Sequence, residues 1–218
     1  MNCYCYETET EFIFCVKDVD TRFTDNLEAA WFKPSEIGYL KIYNKDMKDN
    51  GVNEDDKALV ARNFSRLGNS MFEGIFDWEE ALLLLTTKFN ANKIEWYIIG
   101  SCSEAVLGVD VNPHDIDIIV HTKDFFRVKN IMSDYVVEPF VDNNGTWVVR
   151  YFGRLCLAGA IIDIAADIKM NAENHQYEEV KWNNYDVVIE PLDNRYQTEL
   201  VRGREERIKV IEEYMKLK

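Results

Sequence analysis

The chain has 218 residues, 25 basic against 39 acidic side chains, a formal net charge of −14 and 47% apolar residues. That length and apolar content suit one globular domain, or a domain with an appendage, able to bury a sizeable core. The acidity argues against a polyanionic nucleic-acid partner and favours small, cationic or protein substrates; a free nucleotide stays open because bound magnesium can invert the field inside one cleft.

In chain order, MNCYCYETETEFIFCV carries neither a basic leader nor an uninterrupted apolar stretch, so no export signal is expected, and its alternation fits a strand or hairpin. Helices are expected around 25–31 and 54–68, separated by the polar stretch KDMKDNGVNEDD (45–56), which reads as an exposed turn with Gly51 permitting the reversal. A calcium loop fails there, since Lys48 and Lys57 fall where carboxylate oxygens are needed, and it fails at DVDTRFTD because Phe23 replaces the required glycine. Residues 1–76 are treated as an N-terminal extension of undetermined fold, and 77–218 as the principal domain.

From Asp77 the pattern becomes regular. Asp77 with Glu80 three residues on forms a helix start, and DWEEALLLLTTKFN has the spacing of a buried helical face, its ALLLL run far too short to cross a bilayer. Residues 95–99 read as a strand, the segment from Gly100 to about Leu107 as a helix opening on Ser101 or Ser103, 116–122 as a strand and 124–135 as a helix. Two strands are expected over 146–168, turning near Gly153, then a strand over 185–189, a helix starting at Pro191, a break near Gly203 and a final amphipathic helix. The apolar side of that last helix would be Ile208, Ile211 and Leu217 with Val210 and Tyr214 beside them. The alternation points to an α/β (α+β) fold with a small mixed β-sheet flanked by helices. The cysteines at 3, 5, 15, 102 and 156 are odd in number and lack a CxxC partnered by histidines, so they read as reduced thiols of a cytoplasmic protein, with neither a disulfide framework nor zinc.

The chemistry concentrates in EWYIIGSCSEAVLGVDVNPHDIDIIV (95–120). Residues two apart on a strand project to one face, so Asp115 and Asp117 point together while Ile116 and Ile118 enter the core. Two carboxylates in one small volume repel unless a cation bridges them, and hard oxygen donors suit magnesium or manganese. Asp163, between Ile162 and Ile164, leaves a third strand in the same way, and three converging carboxylates could hold two metals, about 3.5–4 Å apart in such sites. Gly100 removes a side chain where phosphate oxygens must approach the backbone, Ser101 adds a hydroxyl at a helix N-terminus suited to anions, and Asp163 is the candidate to orient or deprotonate an acceptor hydroxyl.

At these residues the chain resembles the nucleotidyltransferase superfamily, whose pattern is Gly-Ser or Gly-Gly, a gap, Asp-x-Asp, and a later lone aspartate on a neighbouring strand. NPHDIDI (112–118) is similar to the corresponding segment of the small-molecule branch that includes the aminoglycoside and lincosamide nucleotidyltransferases, and RGREERIKVIEEY (202–214) to the closing Gly-Arg helix of many members. The resemblance covers about residues 77–218. It implies a DNA polymerase β-like nucleotidyltransferase fold, catalytic and metal roles for Asp115, Asp117 and Asp163, and phosphate binding at Gly100 and Ser101. It further implies magnesium, with two ions expected and manganese as the alternative, and a nucleoside triphosphate substrate, ATP first among candidates. The implied reaction moves a nucleoside monophosphate to a hydroxyl of a small molecule or protein and releases pyrophosphate. The chain departs from the pattern in its long gap, thirteen residues between Ser101 and Asp115, and in His114, which stands where many members carry a basic residue.

Each feature has a plainer reading. Gly100 alone is a strand-to-helix turn, Ser101 alone an N-cap, and Asp167 competes with Asp163, which is preferred for its β-branched neighbours. His114 fits a solvated loop as well as a site, while His121 and His175 read as structural or exposed. Arg202, Arg204 and Arg207 could reach a phosphate but on helices more often pair with local acids such as Glu205 and Glu206, and Trp147, Tyr151, Trp182 and Tyr185 default to core packing. The competing function is a non-catalytic binding or regulatory protein of the same fold, an antitoxin-like partner using residues 1–76 as its contact surface. The set Gly100, Ser101, Asp115, Asp117 and Asp163 favours the enzyme, because a binder needs no metal cluster.

Overall fold

Alternating apolar residues over Cys3–Val16 build an antiparallel hairpin of β1 (Asn2–Glu7) and β2 (Glu11–Lys17). The computed structural model describes residues 1–44, 54–166 and 177–217. The polar 45–53 stretch, Asp167, the 167–168 end of the expected strand and His175 lie outside the described residues. After the short helix α1 (Thr24–Ala29), β3 (Lys33–Ser35) and β4 (Gly38–Asn44) complete a four-stranded antiparallel sheet in the order β1-β2-β4-β3. Five consecutive residues of β2, Phe12 to Val16, are buried, so this strand is covered on both faces.

The covering element is α2 (Glu54–Phe72), which packs against β1 and against β7 (Val136–Asp142) of a second sheet. Phe64 meets Phe14 edge-on at 5.1 Å and stacks on Phe32 at 5.9 Å, while Asn63 donates to the carbonyls of Ser133 and Val136 at 2.7 and 2.9 Å. Gly68 of α2 lies so close to β1 that a Cβ there would stand 2.7 Å from the Cys3 side chain. One apolar core thus runs without interruption from Cys3 and Phe14 to Ile118 and Ile164.

The second sheet is mixed and seven-stranded. It contains β5 (Trp96–Ile99), β6 (Ile116–Val120), β7, β8 (Tyr151–Leu157), β9 (Ala160–Ala166), β10 (Glu178–Trp182) and β11 (Tyr185–Ile189) in the order β10-β11-β5-β6-β9-β8-β7. The β11–β5 and β6–β9 pairs are parallel and the rest antiparallel. Helices α3 (Trp78–Ala91), α4 (Gly100–Leu107), α5 (Phe125–Ile131), α6 (Leu192–Arg202) and α7 (Glu205–Leu217) flank it, the mixed α+β arrangement that the alternating pattern predicts. Asp77 caps α3 as expected, its Oδ1 accepting from the Glu80 amide at 3.0 Å. Among the described residues no helix is long and apolar enough to cross a membrane.

The turn between β8 and β9 falls at Ala158 and Gly159, both at positive φ, and not at Gly153. Gly153 sits inside β8 because the Phe140 ring occupies the space a side chain would fill, a Cβ standing 2.3 Å from Cδ2 of that ring. Gly153→Ala should therefore cost about 1–3 kcal/mol of stability in urea unfolding, much of it recovered when Phe140→Leu is added, which makes room. An additive double variant would show that the ring is not the obstacle. The expected helix over 124–135 is the shorter α5 between 3-10 turns at Thr122–Asp124 and Ser133–Tyr135. Leu217 is 86% exposed, so only Ile211 of the proposed apolar side of α7 is fully buried. Strands β7 and β10 have no counterpart in the periodicity: β7 is buried almost throughout and carries Glu138 and Pro139, which hide it from a period-2 reading.

Candidate functional site

The site is a row of register partners crossing five strands. Ile99 of β5 pairs with Asp117 of β6, Asp117 with Asp163 of β9, Asp163 with Arg154 of β8, and Arg154 with Glu138 of β7. Directly paired residues share a face of the sheet, so Asp117, Asp163, Arg154 and Glu138 project together. Asp115, two residues before Asp117, joins them at the mouth of β6.

Gly100 begins the next step of the row. Its φ of +71° belongs to the left-handed region, and a Cβ there would lie 2.7 Å from Oδ2 of Asp117. The position thus needs glycine both for its backbone and for the Asp117 carboxylate. The turn is secured by Ser103, whose hydroxyl donates to the Gly100 carbonyl at 2.7 Å. The helix opens at Gly100, with Ile99 as N-cap and no side-chain cap, so neither Ser101 nor Ser103 caps α4; Ser101 lines the cavity above it.

The carboxylates strain against one another. Burial and then the charges of Asp115 and Asp163 push Asp117 up to about 7, and burial followed by Asp163 raises Asp115. Such a cluster gains from a cation, and its hard oxygen donors fit magnesium. Asp163 is committed differently: Arg154 Nε and Nη2 reach its two oxygens at 2.6 and 2.9 Å. Arg154, 3% exposed at its side chain, also donates Nη1 to Glu138 at 2.8 Å and to the Ala30 carbonyl at 3.1 Å. Glu138 in turn accepts from Lys41 at 2.6 Å and from the Tyr43 hydroxyl at 2.7 Å. Burial would raise Glu138, but Arg154 and Lys41 hold it below its ordinary value. Residues 1–76 thereby supply Ala30, Lys41 and Tyr43 to the far end of the row. Among the described residues no group of three His, Cys, Asp or Glu side chains is preassembled as a metal site.

On the opposite flank stands a wall of guanidinium groups. Glu104 of α4, fully buried, accepts from Arg195 of α6 at 2.9 Å and from Arg207 of α7 at 3.2 Å. Glu199, also fully buried, pairs with Arg195, with Arg204 at 3.6 Å and with Arg202 at 4.0 Å. The expected pairing of Arg202, Arg204 and Arg207 with Glu205 and Glu206 is replaced by these two buried acids, which aim the arginines at the carboxylate cluster. The four arginines, with Gly100, Ser101, His114, Asp115 and Asp117, enclose a cavity of 240 Å³. It adjoins a larger cleft of 910 Å³ that takes in Asp115, Asp117, Asp163 and Arg154 together with Phe23 and Trp31 of the N-terminal part. A chain of net charge −14 thus places four arginines where an anionic ligand would meet the aspartates. His114 borders both cavities, and His121 is structural, its Nδ1 accepting from the Lys123 amide at 3.1 Å. Trp147 and Tyr151 are half-buried partners of Phe152 and Phe125.

Arg154, Glu138 and Arg195 are the site residues that pattern reasoning misses. An arginine inside an apolar strand segment, YFGRLCL, was the available signal, because a charge on a buried strand demands a buried partner.

No protein-family model and no curated protein matches the chain. Two solved structures are similar to it. One is a candidate nucleotidyltransferase from Thermotoga maritima, 21% identical, with a TM-score of 0.44 over 63% of this chain and 91% of that one. The other is an antigenic nucleotidyltransferase-like protein from Paracoccidioides brasiliensis, 12% identical, with a TM-score of 0.40 over 63% of this chain and 77% of that one.

Proposed function

We propose that the chain is a metal-dependent nucleotidyltransferase that moves a nucleoside monophosphate from a triphosphate, ATP first among candidates, to an acceptor hydroxyl. The observation that carries this reading is the register pair Asp117 and Asp163, with Gly100 packed against the Asp117 carboxylate, set between an arginine wall and an open cleft. Arg195, Arg202, Arg204 and Arg207, with Ser101 and with the Gly100 amide once a phosphate oxygen replaces Glu190, to which it donates at 3.4 Å, bind the triphosphate in the smaller cavity. Asp115 and Asp117 hold magnesium, and Asp163 can join them while keeping Arg154, since a carboxylate has about four lone-pair sites. When bound, the metal neutralises the phosphates, lowers the barrier to attack and stabilises the departing pyrophosphate.

The acceptor enters from the larger cleft. Its hydroxyl oxygen bonds to the α-phosphorus, the bond from that phosphorus to the β-bridging oxygen breaks, and pyrophosphate leaves with the electron pair. Asp163, oriented by the Arg154 fork, aligns the hydroxyl and receives its proton on the way to solvent. Titration calorimetry with each nucleoside triphosphate, with magnesium and with EDTA, tests the reading. Saturable binding that requires magnesium is expected, followed by transfer of α-phosphate label to an acceptor with release of pyrophosphate. Absence of any triphosphate affinity in magnesium would overturn it.

A further inference from the structure

Beside the carboxylate row lies a cavity of 530 Å³, within the size range of small-molecule sites, with Trp31, Tyr43, Trp147 and Phe152 on its walls. Trp31 stacks on Phe152 with ring centroids 6.2 Å apart and planes 16° from parallel, while Trp147 meets both Phe152 and Tyr43 edge-on. Trp31 is 62% exposed and holds φ at +69°, a conformation a bulky side chain adopts only at an energetic cost. That conformation closes the C-terminus of α1, where the Trp31 amide donates to the Glu28 carbonyl and the Phe32 amide to the Leu27 carbonyl, both at 2.9 Å, and it leaves the indole at the rim of the cavity.

The chemistry of the walls limits what that ligand can be. The Tyr43 hydroxyl is taken by Glu138, Lys41 Nζ by Glu138 and the Ala30 carbonyl, and the Ser35 hydroxyl by the Gly38 carbonyl. Aliphatic groups and the exposed part of the Trp31 ring remain, with Lys41 Nζ 5.5 Å from that ring and exposed Lys33 beside them, and among the described residues lining the cavity none is acidic. A polycation would find no counter-charge here. The cavity adjoins the carboxylate row: Trp31 borders the larger cleft as well, and the Arg154 guanidinium that grips Asp163 sits 5.7 Å from the Phe152 ring.

We propose that this cavity seats the acceptor, a neutral or anionic small molecule whose flat aromatic ring lies against Trp31 and whose hydroxyl reaches toward Asp163. The acceptor role rests on the transfer reading above; the ligand class does not. Titrations of the full chain without nucleotide would use 2-naphthol and 4-hydroxybenzoate as neutral and anionic ring probes, and glucosamine as a hydroxylated cation without an aromatic ring. Both ring probes should bind saturably with Kd below about 1 mM, and glucosamine should not. Trp31→Gly, which tolerates the positive φ, should weaken ring binding about tenfold or more, with the circular dichroism unchanged. Ile42→Glu, on a wall residue that is 52% exposed, should weaken the anionic probe more than the neutral one.

Failure of both ring probes to bind, unchanged binding by Trp31→Gly, or a preference for glucosamine would overturn the ligand class. Self-association of the chain that buries Trp31 and is not reversed by the ring probes would overturn it too, in favour of a protein interface. Ring binding without label transfer, in protein that does bind magnesium and triphosphate, would overturn the acceptor role. Loss of triphosphate binding alone would overturn the transfer reading while leaving the measured ligand class in place.

Discussion

Asp117→Asn should abolish magnesium-dependent nucleotide turnover, by at least about 10³-fold, and yet yield a more stable metal-free protein at neutral pH. The first effect follows from the role given to the carboxylate, which is needed for its charge. The second follows from its crowding by burial, Asp115 and Asp163, which raises it from the ordinary 3.8 to about 7. A raised carboxylate binds its proton more tightly in the folded chain than in the unfolded one, so ionising it opposes folding. That penalty is absent below about pH 4, grows as pH rises toward 7, and is complete above it. Asparagine removes it. Because the repulsion is shared with Asp115 and Asp163, the expected gain at pH 8 is about 1–3 kcal/mol, falling to nothing near pH 4. Urea unfolding in EDTA at the two pH values measures it. Magnesium should then stabilise the natural chain and not the variant. A variant that retains turnover, or is no more stable at pH 8, would refute the roles assigned to this cluster.

Arg154→Met should be among the most damaging single changes in the protein, costing about 3–5 kcal/mol. The guanidinium is buried between Asp163 and Glu138 and also serves the Ala30 carbonyl. Removing it strands Glu138, which has no solvent exposure, with Lys41 and Tyr43 as partners, and takes away the positive charge that offsets the repulsion between Asp163 and Asp117. Such a loss is a large fraction of the roughly 5–15 kcal/mol that holds a domain folded. Arg154→Met combined with Glu138→Gln should recover part of it, since the stranded charge and not the missing contact carries most of the cost. Equilibrium unfolding of the single and double variants gives the coupling directly. A loss below about 1 kcal/mol for the single variant would mean that solvent reaches the row and screens it.

The aspartate half of the site was legible because it is local. Asp115 and Asp117 share a face by the two-residue period of a strand, Asp163 sits between apolar neighbours, and Gly100 and Ser101 follow an apolar run. The helix starts at Asp77 and Pro191 were legible for the same reason, since capping and proline geometry act within one turn. Strand β7 was not legible, because its residues are buried nearly without alternation, and Gly153 misled because a glycine placed to admit a ring looks like a glycine placed to turn.

By itself, then, the sequence determined which acidic side chains leave their own strands toward one face, as well as the mixed pattern of strands and helices. Only the tertiary structure decided that Asp117, Asp163, Arg154 and Glu138 stand in one row, that Glu104 and Glu199 aim four arginines at them, and that residues 1–76 close the row with Ala30, Lys41 and Tyr43. The reason is physical. A side chain's direction on its strand is set by local backbone geometry, whereas the register between strands distant in sequence, and the burial that makes a charge seek a partner, arise only when the whole core packs.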